Sequence, residues 1–292
     1  MKNILLGELA VKWEGLRKSD NVEDRRRMSG PVMVGGGGIG VLILALIVMA
    51  LGGDPRALLN QGGGGPVVQE GAEPTAEEER YAEFVTRILG DTEDVWSEIF
   101  RKEFKKEYRK PTLVLFRGSV DTGCGSASSS TGPFYCPGDE KVYIDVSFFD
   151  VMNKRLGAGG DFAYAYVIAH EVGHHVQKQL GITQMVDEQR GRVSEEEYNQ
   201  LSVRLELQAD FFAGVWANQG QKKQRFLEEG DLENALNAAQ AIGDDTLQRN
   251  AQGRVRPESF THGTSKQRYN WLLKGLKTGD VNQGDTFQAT RL

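Results

Sequence analysis

The stretch Asp161–Leu180, DFAYAYVIAHEVGHHVQKQL, decides how the rest of the chain is read. Wound as a helix it is apolar on nearly every side, so it predicts a buried helix whose polarity breaks only at His170, Glu171, His174 and His175. Residues four apart lie on one helix face about one turn apart, so His170 and His174 can bring both imidazoles to one cation at the ~2.0–2.1 Å typical of zinc and histidine nitrogen. Glu171 is rotated ~100° around the axis from His170, where its carboxylate can address a metal-bound water without ligating the metal. This HExxH spacing suits hydrolysis: zinc brings the pKa of its water toward ~7, and a neighbouring carboxylate takes the proton and passes it to a leaving amine. The competing account is a set of core histidines serving local polar needs. It leaves two imidazoles and a carboxylate uncompensated in an apolar helix, at a cost on the order of several kcal/mol. His175 points off the ligand face and reads as a supporting or packing residue.

A catalytic zinc of this kind takes three protein ligands and keeps a fourth position for water. The third is sought in Leu205–Gly214, LELQADFFAG, which opens a second apolar helix running on through Val215, Trp216 and Ala217. Glu206 and Asp210 stand four apart and share a face. Glu206 can complete a His2Glu set while Asp210, one turn on, accepts the outer N–H of a ligating histidine. The reverse assignment fits the same spacing. A solvated role for Glu206 beside Arg204 is opposed by the apolar run that follows.

Composition sets the outer limits. The 292 residues include 39% hydrophobic and 26% charged side chains, enough for a sizeable core in one or two domains. A net charge of -6 and a pI near 5.4 provide no general basic face for phosphates, which excludes a general nucleic-acid binder. No charged residue falls between Arg27 and Asp54, and Met33–Gly53, MVGGGGIGVLILALIVMALGG, is long enough as a helix to cross a ~30 Å hydrocarbon layer. A secretory signal peptide is the rival reading. The long polar region before the stretch and the lack of a small-x-small cleavage site after Leu51 favour an uncleaved anchor. Lys12, Arg17, Lys18, Arg25, Arg26 and Arg27 precede it, whereas Asp54 and Arg56 follow. Residues 1–31 are therefore expected in the cytoplasm, 32–53 in the membrane, 54–73 as a Gly/Pro-rich tether and 74–292 as a translocated domain.

Helical spacing starts at Pro74, with Tyr81, Phe84, Val85, Ile88 and Leu89 on one stripe and Val95, Trp96, Ile99 and Phe100 continuing it after an apparent break at Gly90. Thr75 and Glu78 have the spacing of a capping box. Thr112–Phe116 is β-rich. Lys141–Val146, KVYIDV, alternates as a strand with Tyr143 and Asp145 on one face, and Phe148–Leu156 begins another helix. That strand fits either an edge that pairs with an extended substrate or an ordinary core strand. Further helices are expected near 195–219, 222–229, 231–242 and 265–277.

Two cysteines, Cys124 and Cys136, flank the weakly apolar GSASSSTGPFY segment, and a disulfide would fix it. An oxidising compartment follows from both the disulfide and the topology, while a redox or metal role for the pair is the minor alternative. His262 lies in a Gly/Ser/Thr-rich turn, THGTSKQR. It can serve as a catalytic group donating to a tetrahedral oxyanion, with Arg268 a weaker candidate of the same kind. It can equally sit in a solvent loop where Thr264 or Ser265 caps a helix starting near Lys266.

HEVGHH, LELQADFFAG, PFYCPGDEKVYID, THGTSKQR and the early GLRKSDNVEDRR together resemble the bacterial family described as putative neutral zinc metallopeptidases, over nearly the whole chain. The ExxAD element also resembles that of the integral-membrane CAAX-processing and heat-shock zinc proteases, in which the Glu is the third ligand. The resemblance implies zinc on His170, His174 and Glu206, Glu171 as general base and Asp210 as the partner of a ligating histidine. Those proteases have several membrane spans; this chain has one candidate. The expected architecture is α+β and mainly α, a zincin-like domain with a small β-sheet behind a single transmembrane helix in the bacterial inner membrane. A peptide or protein is the expected substrate. A non-catalytic, membrane-attached zinc scaffold or chaperone-like module is the alternative. Glu171 argues against it, because a structural site needs no base and favours four protein ligands.

Overall fold

The computed structural model describes residues 12–27, 73–155, 160–224, 231–252 and 255–292. Helix α1 (Ala76–Ile99) starts at the capping box expected from its sequence: Glu78 N donates to Thr75 Oγ1 at 3.2 Å, and Thr75 N donates to Glu78 Oε2 at 2.7 Å. A π-turn over Phe100–Phe104 ends it, with Lys105 in the left-handed region at φ 54°. A mixed four-stranded sheet follows, formed by β1 (Val22–Asp24), β2 (Thr112–Phe116), β5 (Phe134–Cys136) and β6 (Lys141–Asp145) in the order β1-β2-β6-β5. The pairs β1–β2 and β2–β6 are parallel, while β5 runs antiparallel to β6. A separate hairpin of β3 (Ser119–Thr122) and β4 (Gly125–Ser128) lies between β2 and β5 in the chain.

The alternation in β6 places its residues as the sequence predicts. Val142 and Ile144 join the large helical core, and Tyr143 packs with Val114, Phe116 and Cys136 in a second cluster with Val120 of β3. Of the two readings open for β6, the ordinary core strand holds and the edge strand does not, since β6 is internal between β2 and β5, and β5 takes the edge. A short Phe-Tyr-Cys run carries no periodicity from which to read a strand.

The helices α2 (Phe148–Arg155), α3 (Asp161–Leu180), α4 (Ile182–Asp187), α5 (Glu195–Gln224), α6 (Asp231–Ala241), α7 (Asp244–Gln252) and α8 (Ser265–Thr278) make up the rest of the domain. The large core contains Ile168, Val172 and Val176 of α3, Leu207, Phe211 and Trp216 of α5, and Trp271 and Leu272 of α8. Where a helix was expected over 222–229, residues 222–224 are the end of α5 and 225–230 lie outside the described residues. Helices α4 and α7 were not expected, because neither has a sustained apolar stripe.

Residues 12–27 differ most from expectation. They are not a separate N-terminal segment but part of the domain: β1 lies in the sheet, and Trp13 and Leu16 are in the core. Trp13 Nε1 donates to Asp161 Oδ2 at 2.9 Å, at the start of α3. Glu93 of α1 is fully buried and gathers Arg17 Nη2 at 2.7 Å, Ser19 Oγ at 2.5 Å, Asn21 Nδ2 at 2.7 Å and Lys110 Nζ at 3.3 Å. The apparent break at Gly90 has the same origin. Helix α1 runs straight through it, and a Cβ there would stand 2.3 Å from Arg17 O, so the glycine admits the N-terminal segment rather than ending the helix. The basic residues that suggested a cytoplasmic flank are largely engaged within the fold: Arg17 on Glu93 and Asp94, Arg25 on Glu23, and Arg26 on Asp24 and Glu79. The apolar stretch 33–53 and the tether as far as residue 72 lie outside the described residues; among the described residues no helix is long and apolar enough to cross a membrane.

Candidate metal centre

The predicted helix Asp161–Leu180 forms over its expected length, with residues 162–173 all buried. Helix α5 packs directly on it. A Cβ at Gly173 would lie 3.0 Å from Ala209 O, so the absence of a side chain there lets the two backbones approach at the level of the motif. This contact brings residues from two parts of the sequence into one cluster. Among the described residues, His170, His174 and Glu206 form the group able to share a metal ion, with candidate ligand atoms all within 4.8 Å of one another.

The two histidines are oriented alike. His170 Nδ1 lies 2.8 Å from Asp210 Oδ1, and His174 Nδ1 lies 2.9 Å from Gln177 Oε1. Gln177 Nε2 donates to Leu205 O at 2.7 Å and to Gln208 Oε1 at 3.1 Å, which turns its carbonyl oxygen toward His174. Both rings thus give Nδ1–H to an acceptor and leave Nε2 for Glu206: His170 Nε2 is 3.2 Å from Oε2, and His174 Nε2 is 3.6 Å from Oε1. Two ligands each ~2.0–2.1 Å from one tetrahedral zinc stand about 3.3 Å apart, so the set fits that ion. No fourth protein ligand joins among the described residues, which matches a catalytic rather than a closed structural site.

Charges around the cluster compensate for its burial. Burial disfavours the charged form of His170, but the charge of Asp210 and hydrogen bonds to Asp210 and Glu206 outweigh it and push the imidazole up to about 10. Burial likewise opposes ionisation of Asp210, yet Arg268 and His170 bring it down to about 2. Glu206 is held well below the usual carboxylate range by His174, His170 and His262 despite its burial. Glu171 is outside the ligand group, and burial raises its pKa. A carboxylate raised toward neutrality is better suited to accept and return a proton.

Arg268 does not take the oxyanion role considered for it. Its Nε and Nη2 each lie 2.9 Å from Asp210, on Oδ2 and Oδ1, and Nη2 is also 3.2 Å from Tyr166 Oη. Tyr166 Oη donates to Asp210 Oδ1 at 2.6 Å. Asp210 is thus held as an ionised acceptor for His170. His175, as expected, stays off the ligand cluster: Nδ1 lies 3.0 Å from Tyr135 Oη, and Nε2 donates to Arg109 O at 2.6 Å. Cys124 and Cys136 form a disulfide that ties the β3–β4 turn to β5. Thr264 caps α8, but His262 is not in a solvent loop; it is 5% exposed and its ring contacts Asp244.

Sequence reasoning missed three supporting residues. Gln177 and Tyr166 had a signal available, since they lie three residues after His174 and four before His170 on the same helix. Asp244 had none, because its partner is 18 residues away, beyond the helix α7 that Asp244 begins.

The family described as "Putative neutral zinc metallopeptidase" matches residues 11–287. The chain is 52% identical over 288 residues to the uncharacterized protein YpfJ of Escherichia coli (strain K12), covering 95% of this chain and 99% of that one. It is 45% identical over 197 residues to the uncharacterized protein Rv2575 of Mycobacterium tuberculosis (strain ATCC 25618 / H37Rv), covering 63% and 65% of the two chains. No solved structure matches. With its HExxH helix, its Glu206 partner and a match that runs from before β1 to beyond α8, this chain belongs to the putative neutral zinc metallopeptidase family.

Proposed function

We propose that this protein is a zinc-dependent endopeptidase in which Glu171 is the general base. The observation that carries the reading is the placement of Glu171: it is buried next to both ligand histidines and outside the ligand group. His170, His174 and Glu206 would hold the ion. When bound, zinc supplies Lewis-acid polarisation and makes water acidic enough to lose a proton near neutral pH. Glu171 takes that proton and delivers it to the leaving nitrogen. His262, whose charge and that of Glu206 act on each other, donates to the oxyanion. The sheet edge at β5 abuts the site through Tyr135, whose backbone acts on the Glu171 carboxylate. An extended peptide added to that edge would have its main chain aligned beside the base.

Replacing Glu171 with Gln keeps size and most hydrogen bonds but removes the base. Zinc content and thermal unfolding should be retained while cleavage of a casein or peptide-library substrate falls by at least ~10²-fold. Equal turnover by the parent and Glu171→Gln would reject the mechanism; absence of turnover in the zinc-loaded parent would favour the scaffold alternative.

The reading includes attachment to the bacterial membrane through the apolar stretch 33–53, with the domain outside the cytoplasm. Support for the compartment comes from the Cys124–Cys136 bond, which suits an oxidising environment. The β1–β2 pairing limits the form of the attachment: residues on both sides of the stretch share one sheet, so a single crossing would separate strands that pair. Reporters placed before Trp13 and after Leu292 should therefore mark the same side of the membrane. Opposite sides would mean that β1 leaves the sheet in the cell.

A further inference from the structure

We propose that Asp244, at the first turn of α7, is the positioning residue that sets His262 for catalysis. The inference rests on the peptidase reading above but concerns a residue from a different part of the chain. Asp244 is fully buried and acts on His262 twice. Its Oδ1 lies 3.2 Å from His262 Nδ1, and its Oδ2 accepts three consecutive backbone N–H groups, from Thr261 at 2.8 Å, His262 at 2.7 Å and Gly263 at 3.1 Å. The backbone bond is returned, since Asp244 N donates to Gly263 O at 2.9 Å. One carboxylate thus fixes the path of the loop and, together with Thr261 Oγ1 at 2.9 Å from the same Nδ1, the rotation of the ring.

The neighbouring residues complete the clamp. Asp245 Oδ1 accepts from Ser265 N at 2.7 Å and Ser265 Oγ at 2.9 Å, and Thr246 Oγ1 lies 2.7 Å from Ser265 Oγ. On its other side the loop rests on α5. The point where a Cβ of Gly263 would stand is 3.2 Å from Val203 Cγ1 and 3.3 Å from Leu207 Cδ2. These two residues bracket Glu206 on its helix, so the loop is seated at the level of the metal ligand.

The carboxylate at Nδ1 determines which nitrogen remains available. With Nδ1–H shared between Asp244 Oδ1 and Thr261 Oγ1, a protonated ring has only Nε2–H to offer, and Nε2 makes no hydrogen bond among the described residues. Nor is it a sealed, unsatisfied atom. A buried imidazole with one nitrogen anchored and the other unengaged beside a cluster of ligands is arranged to donate to a developing oxyanion. Had Asp244 served only to hold the loop, its three backbone contacts would have sufficed and the ring contact would have been dispensable.

The test uses the full chain. In the metal-free parent, a long-range ¹H–¹⁵N spectrum of ¹⁵N-histidine protein followed with pH should show His262 Nδ1 protonated throughout, with Nε2 the nitrogen that gains and loses its proton, and Asp244→Asn should lose that preference for Nδ1. In the zinc-loaded protein, Asp244→Asn should keep its metal and lower kcat by about 10- to 100-fold with KM changed only a few-fold. In a His262→Ala background it should cause no further loss in kcat, because both changes disable one group. A neutral parent ring protonated on Nε2 alone, an unchanged ring in the variant, or losses that add in the double variant would overturn the proposal. The parent spectrum decides even if Asp244→Asn fails to fold. It needs neither metal nor turnover, so a parent that cleaves nothing would count against the peptidase reading alone.

Discussion

The candidate metal cluster and the N-terminal segment each gather polar groups around a buried carboxylate, Asp210 in one and Glu93 in the other, but they differ in how their partners are spaced along the chain. At the cluster, His170 and His174 are four residues apart on one helix, as are Glu206 and Asp210 on the next, so each helix delivers half of the site as a unit. In the N-terminal segment, Arg17, Ser19 and Asn21 reach Glu93 across more than 70 residues of chain, much of it apolar or glycine-rich. The first arrangement has a period and the second has none. Where function is carried on a helix face, spacing alone announces it; where a segment is inserted into a sheet, only the partner explains why its residues are polar.

This difference can be broken at its larger end by removing residues 1–27. The deletion takes β1 from the sheet and strips buried Glu93 of all partners but Lys110. Because an uncompensated buried charge is costly, unfolding in urea should show a loss of about 3–5 kcal/mol. An unchanged midpoint would show that the segment is an accessory to a domain that begins at residue 74.

At the cluster, Asp210→Asn should leave the fold in place but weaken the grip on His170 and undo the charge balance with Arg268. A loss of about 10- to 100-fold in zinc affinity or activity is expected, measured by competition with a chromogenic chelator. A full effect on stability with no effect on metal would place Asp210 in the core and not in the site.

The smallest effect is one of pH. In the metal-free protein the His170 imidazole is raised to about 10, so it holds a proton through neutrality that zinc must displace. Zinc affinity should therefore rise with pH by up to about tenfold per unit until the pH nears that value. The sign for stability is opposite. A raised folded-state pKa contributes stability that is complete below the unfolded value of ~6.5 and is lost as pH climbs through the folded one. The chelator-treated protein should melt at progressively lower temperature from neutral pH toward pH 10, while the zinc-loaded protein should change less. Parallel melting curves would show that the ring is not charged in the metal-free state.

By itself the sequence determined the HExxH helix, its i, i+4 partner on the following apolar helix, the capping box at Thr75, the two faces of β6 and the cysteine pair, because each of these depends on residues close together in the chain or on the only residues of their kind. Tertiary structure decided what depends on surfaces meeting. It put β6 inside the sheet with β5 at the edge, turned Arg268 from an oxyanion candidate into the clamp on Asp210, and placed Asp244 on His262. It also drew residues 12–27 into the domain, where their positive charges meet buried and surface carboxylates. Charge alone states a sign but no partner, and a short strand or a loop has no period, so their roles appear only once packing brings the other half of each contact within reach.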